Sequence, residues 1–241
     1  MRFGVLQCAE DTDYVKKKYG GYFGVFLRML AEEGEIWDVF RVADGDFPDD
    51  GEIGVYDGFV ITGSCKDAYG DDAWICELLT LLNKLQLMNK KILGICFGHQ
   101  ILARALGGKV VRAESGWDIG VRSINLSSSS MKIFSNLEMP KTLSVIECHR
   151  DEVHELPSEV EVLAWSDKTR VEMFRYRDNI MGVQGHPEYS TDILKQLIDD
   201  RLLQCNLIEE SYAVEIRSKL EMDPDMESWK ELCTSFLKGR L

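Results

Sequence analysis

The spacing of apolar and polar positions changes several times along the chain, and each change predicts an element. Residues 2–7 form a short apolar run, a candidate first strand. A polar segment, residues 11–21, follows; it holds Lys16-Lys17-Lys18 ahead of Tyr19-Gly20-Gly21-Tyr22 and reads as a loop. Over residues 22–33, Val25, Phe26, Met29 and Leu30 recur at helical spacing, and Gly34 marks the stop. Residues 35–42 predict a second strand, residues 44–54 an acidic turn-rich loop with Pro48, and residues 56–61 a third strand ending in Thr62-Gly63-Ser64. An amphipathic helix is predicted over residues 72–88, with Ile75, Leu78, Leu79, Leu82 and Leu85 as its stripe. Residues 91–95 are a short buried-type strand. From Phe97 the period turns helical, with Ile101, Leu102, Ala105 and Leu106 on one face, until Gly107-Gly108. This alternation of strands and helices implies a parallel sheet covered on both faces. In such sheets ligands bind beyond the carboxyl ends of the strands, where Thr62-Gly63-Ser64 and Cys96 both fall.

The second half has a different rhythm. Residues 109–113, 121–126, 143–148, 161–166 and 171–177 read as short strands without long helices between them, and residues 127–130 as a polar turn. This part should form a small antiparallel extension on an edge of the sheet. Residues 179–184 predict a further strand that leads into Gly185-His186-Pro187-Glu188. Helices follow over residues 191–204, 209–219 and 226–237, the last two divided around Asp223-Pro224. The expected fold class is therefore α/β, a three-layer arrangement around a mostly parallel central sheet. A single domain should span residues 1–241, with a core over about 2–204 and C-terminal helices over about 209–238.

Composition narrows the partners. A net charge of −13 gives nucleic acid and anionic membranes no favourable field, so neither is expected as a partner. No apolar run approaches bilayer length, and the first residues read as a strand and not as a signal peptide. Seven cysteines without paired spacing point to free thiols in a reducing compartment, the cytosol. Four histidines show no metal-ligand spacing with them, and no cofactor is called for.

The candidate chemistry centres on Gly94-Ile95-Cys96-Phe97-Gly98, where a strand should turn sharply into a helix. This is a nucleophile elbow with sulfur in place of a serine oxygen. The glycines are needed because a side chain at so tight a corner would collide with the neighbouring strand or helix. The helix start beside Cys96 offers unpaired N–H groups and partial positive charge, which favour the thiolate. A thiolate attacking a carbonyl needs a base, and His186 is the best of the four histidines. It follows a strand that should end on the same side as the elbow. Pro187 fixes the backbone, and Glu188 can accept the other imidazole N–H. His99, inside the elbow helix, suits a role in orienting the elbow, and His149 and His154 read as partly exposed residues at a strand end and loop. An oxyanion hole would draw on the N–H of Phe97 and on a second donor at Gly63 or Ser64.

Together these two motifs, Gly94 through Gln100 and Gly185 through Glu188, resemble the class I glutamine amidotransferase domain over about residues 56–189. The resemblance implies a flavodoxin-like sheet and Cys96 as nucleophile, with His186 and Glu188 as its base and orienter. It also implies that Gln100 contacts a γ-glutamyl substrate and that a γ-glutamyl thioester forms and is hydrolysed. Many members carry Gly-Gly-Pro where this chain has Gly63-Ser64-Cys65. The chain has no stretch that reads as a synthase domain. As a whole it is more similar to the stand-alone plant γ-glutamyl peptidases, through Tyr19-Gly20-Gly21-Tyr22, Lys91 to Gln100, Asp151-Glu152-Val153 and Phe236-Leu237-Lys238-Gly239-Arg240. That implies hydrolysis of glutathione conjugates in the cytosol, a small-molecule substrate and no obligatory protein partner. Two alternatives stand beside it: a glutaminase subunit feeding ammonia to a separate synthase, and a catalytically silent binding protein. The Parkinsonism-associated deglycase-like group shares a cysteine elbow but has His or a small residue after the cysteine, where this chain has Phe97.

Overall fold

The computed structural model describes residues 1–218, 220 and 223–241. Its centre is a parallel sheet of β1 (Arg2–Leu6), β2 (Ile36–Phe40), β3 (Gly58–Ile61) and β4 (Lys91–Ile95), ordered β2-β1-β3-β4. The next strand in space, β11 (Ile180–Val183), comes from the far end of the chain and pairs parallel to β4, with Gly182 opposite Gly94. Alternate residues of these strands face opposite layers, as the two-residue period requires. Val5, Val60, Leu93 and Ile95 meet Phe26 of α2 (Gly21–Leu30) and Trp229 and Leu232 of α8 (Met226–Leu237). Leu6, Phe59, Ile61 and Ile92 meet Leu78 and Leu82 of α3 (Ala73–Leu87) and Ile101 of α4 (Phe97–Ala105). The three-layer α/β class expected from the sequence is the one observed.

The antiparallel extension continues the same sheet and is four strands wide. Beyond β11 come β10 (Met173–Tyr176), β9 (Val160–Trp165), β6 (Asp118–Leu126) and β7 (Thr142–His149), each antiparallel to its neighbour. The strand at β5 (Lys109–Arg112) lies outside this sheet and pairs with β8 (Asp151–Glu155) as a separate ladder. The segment around His154, read as a loop, is thus a strand.

Two further polar segments prove helical. The stretch read as a loop contains α1 (Asp13–Tyr19), capped by the Thr12 hydroxyl on the Val15 N–H and closed by Gly20 at φ 80°. The serine turn contains α5 (Ser128–Ile133), where Ser127 Oγ accepts from the Ser130 N–H at 3.0 Å. In α3 the stripe is offset from the expected one: Leu81 is buried and Leu79 only half-buried. The helix predicted over residues 191–204 is α6 (Thr191–Leu197) followed by a wider π turn over Ile198–Leu203. Last comes α7 (Glu210–Ser218); Lys219, included in the predicted helix, lies outside the described residues.

Candidate active site

Cys96 sits between β4 and α4 with φ 53° and ψ −103°, a backbone conformation uncommon for a residue with a side chain. Holding it there costs on the order of 1–3 kcal/mol, which the packed corner must supply. The corner leaves no room for substitution: a Cβ on Gly98 would overlap the Ile61 carbonyl oxygen, and one on Gly94 the Gly98 carbonyl. Cys96 is 6% exposed, so its sulfur is reached only through the cavity described below.

His186 comes from the segment after β11. Its N–H donates to the Ile146 carbonyl of β7 at 2.7 Å, and the Gln184 N–H donates to the Glu172 carbonyl at 2.8 Å. The imidazole Nδ1 lies 2.9 Å from Glu188 Oε1, and Cys96 is close enough to act on the ring's charge. A Cβ placed on Gly63 would be 2.8 Å from the ring carbon Cε1 and 3.7 Å from both His186 Nε2 and Cys96 Cβ. One small volume therefore holds Gly63, the sulfur and the imidazole. Tyr189 stacks on the His186 ring, centroids 4.1 Å apart and planes 6° from parallel, and Tyr22 stacks on Tyr189 at 6.2 Å.

Burial works against a charged imidazole here. The Glu188 carboxylate and the Cys96 sulfur outweigh it and push His186 up to about 10. His186 thus favours the imidazolium form at neutral pH. His99 shows the opposite outcome. It is fully buried against Phe174, ring centroids 4.8 Å apart, and burial drives it down to about 3. His99 packs against Phe174 and Gly182 between α4 and strands β10 and β11.

Phe97 opens α4, so its N–H has no partner within the helix. Neither Gly63 nor Ser64 donates its N–H to an acceptor among the described residues, and Ser64 Oγ turns to its own loop, accepting from the Lys66 N–H at 3.2 Å. The N–H groups of Phe97, Gly63 and Ser64 are thus left without an acceptor among the described residues. Gln100 lines the cavity, but its amide nitrogen already donates to the Asp151 carbonyl (2.9 Å) and to Gln184 Oε1 (3.0 Å).

The cavity over Cys96 holds about 390 Å³. Tyr22 and Trp117 line it; Tyr19 does not, and its hydroxyl bonds to Asp192 and Ser190. The lysine triplet stays outside it, with Lys18 held by Asp192 at 2.8 Å. His149, read as partly exposed, is buried in the cavity wall, whereas His154 is exposed. Sequence reasoning missed Arg150 and Arg201. Both line the cavity, and neither has a carboxylate partner among the described residues. Arg150, between His149 and Asp151, sits in a stretch already singled out; Arg201, on the π turn, carried no sequence signal.

The sequence matches the glutamine amidotransferase class-I family over residues 19–205. The chain belongs to that family. Among this class-I chain's relatives, γ-glutamyl peptidase 5 of Arabidopsis thaliana is 50% identical, across 99% of this chain and 96% of that one. γ-Glutamyl peptidase 3 of the same plant is 48% identical, across 99% and 97%. The class-I fold recurs in a glutamine amidotransferase from Thermotoga maritima (TM-score 0.73, 22% identity, 98% and 97% covered). It recurs again in one from Methylobacillus flagellatus (TM-score 0.75, 19% identity, 100% and 95% covered).

Proposed function

We propose that this protein is a cysteine-dependent γ-glutamyl hydrolase that removes the γ-glutamyl group from glutathione conjugates in the cytosol. The observation that carries the reading is the Cys96–His186–Glu188 set, buried together at the floor of one cavity. In the first step the Cys96 thiolate attacks the γ-carbonyl carbon, and the oxyanion meets the N–H of Phe97 and one from Gly63 or Ser64. The C–N bond breaks as His186 gives its proton to the departing nitrogen, leaving a γ-glutamyl thioester. With the sulfur acylated, one of the two negative groups that raise His186 is gone. The imidazole, having given up its proton, takes one from the attacking water, and glutamate leaves as Cys96 is regenerated. Arg150 and Arg201 suit a substrate with a carboxylate at each end. Seven free cysteines agree with a reducing compartment, which fractionation of the source tissue would check.

Mass spectrometry of a glutathione conjugate incubated with the protein tests the reading. Wild type should release glutamate, and Cys96→Ala should be slower by about 10⁴-fold or more. Equal loss from both proteins removes the proposal. A faster rate on free glutamine, rising with an added synthase, would make the chain a glutaminase subunit. No turnover of either substrate would leave a binding protein.

A further inference from the structure

Behind the cavity wall lies a second cluster that the chemistry above does not use. Glu147 and His149 are two residues apart on one face of β7, and Glu172 precedes β10. All three are buried, at 0%, 5% and 1% exposure. One donor atom from each lies within 4.8 Å of the others, and His149 Nε2 is 3.2 Å from Glu147 Oε2. His149 Nδ1 lies 3.0 Å from the Asp151 carbonyl oxygen, which can only accept. Nδ1 therefore carries a proton, and Nε2 is the nitrogen turned toward the carboxylates. Apart from the approach of His149 Nε2 to Glu147, the oxygens of Glu147 and Glu172 are buried without a well-formed hydrogen bond among the described residues. The nearby cations are engaged elsewhere: Arg122 Nε lies 2.8 Å and Lys168 Nζ 3.7 Å from Asp118 Oδ1.

Two carboxyl groups and an imidazole nitrogen thus converge in a buried spot beside the cavity. Leaving such groups without a counter-charge is costly. We propose that Glu147, His149 and Glu172 bind a divalent first-row transition cation of the Zn²⁺ type. Mixed imidazole and carboxylate ligands suit such an ion, whereas Mg²⁺ prefers oxygen ligands alone. The Nδ1 bond to a backbone carbonyl is the outer-shell contact that orients a metal-bound histidine. Because His149 lines the cavity, an ion can enter from there. The ion is structural and not catalytic. It ties β7 to the start of β10, and these are the segments whose Ile146 and Glu172 carbonyls hold the backbone of His186 and Gln184.

The test uses the full chain, alkylated at its accessible thiols, stripped with a chelator and titrated with Zn²⁺ or Co²⁺. One equivalent of Zn²⁺ should bind, and at a hundredfold excess over the dissociation constant the melting midpoint should rise by roughly 5–10 °C. Co²⁺ should give visible bands without a near-ultraviolet thiolate band. Glu172→Gln and Glu147→Gln, each the shape of a protonated glutamate, should lose the metal-dependent rise. Should either variant fail to fold, the wild-type stoichiometry and cobalt spectrum decide alone. The proposal is overturned by a wild-type chain that binds no zinc, the result expected of two acids sharing protons. A cobalt–thiolate band, or zinc retained by both variants, overturns it equally.

Discussion

The parallel and antiparallel halves of the sheet place their halves of the site by different means. On the parallel side, Leu93 and Ile95 of β4 are buried among apolar neighbours, and Cys96 is aimed by backbone shape alone. On the antiparallel side, Asp118, Glu147, His149 and Glu172 are buried as well, and His186 is aimed by hydrogen bonds to β7 and to Glu188. The sulfur therefore depends on where glycine is permitted, and the imidazole on which side chains surround it. Substitutions on the first side should act through folding, and those on the second through chemistry and pH.

The largest effect beyond the nucleophile itself should come from Glu188→Gln. It keeps the side chain's shape but removes the charge that supports the imidazolium, so kcat should fall by about 10²–10⁴-fold. The same variant probes stability. His186 rises from an unfolded value of about 6.5 to about 10 in the fold. Its contribution is full below about pH 6.5 and is lost as pH climbs through about 10. Thermal melts of wild type should show this decline, and those of Glu188→Gln a shallower one; identical slopes would break the comparison. On the other side, Gly98→Ala should destabilise by about 2–3 kcal/mol in urea, because the added carbon meets the Ile61 carbonyl. Arg201→Gln should raise KM by about tenfold on a glutathione conjugate while kcat holds, if the guanidinium serves binding alone. Smallest is Ser127→Ala, a lost helix cap that should cost about 1 kcal/mol and leave turnover unchanged.

Legibility in the sequence follows the same division. The elbow announces itself because Gly94 and Gly98 are steric necessities at fixed spacing, and β4 is apolar on both faces. Gly185-His186-Pro187-Glu188 is readable because its orienting acid is local. The missed elements lack a hydrophobic period. In β8 the buried residues are Asp151 and Val153, and in α1 only Val15 is buried, so the signals were the Thr12 and Gly20 caps. The acids at 147 and 172 could not be found from spacing. An acid in a strand reads as a solvent-facing residue, and only the folded sheet shows that these meet each other. His149 was misjudged for the same reason.

The face-to-face stack of His186 on Tyr189, itself backed by Tyr22, has a kinetic consequence. A ring stacked that way resists flipping end over end, which keeps Nδ1 on Glu188. In the proposed reaction, proton transfer would then pass through the ring edge toward position 96, first to the departing amine and then from the incoming water.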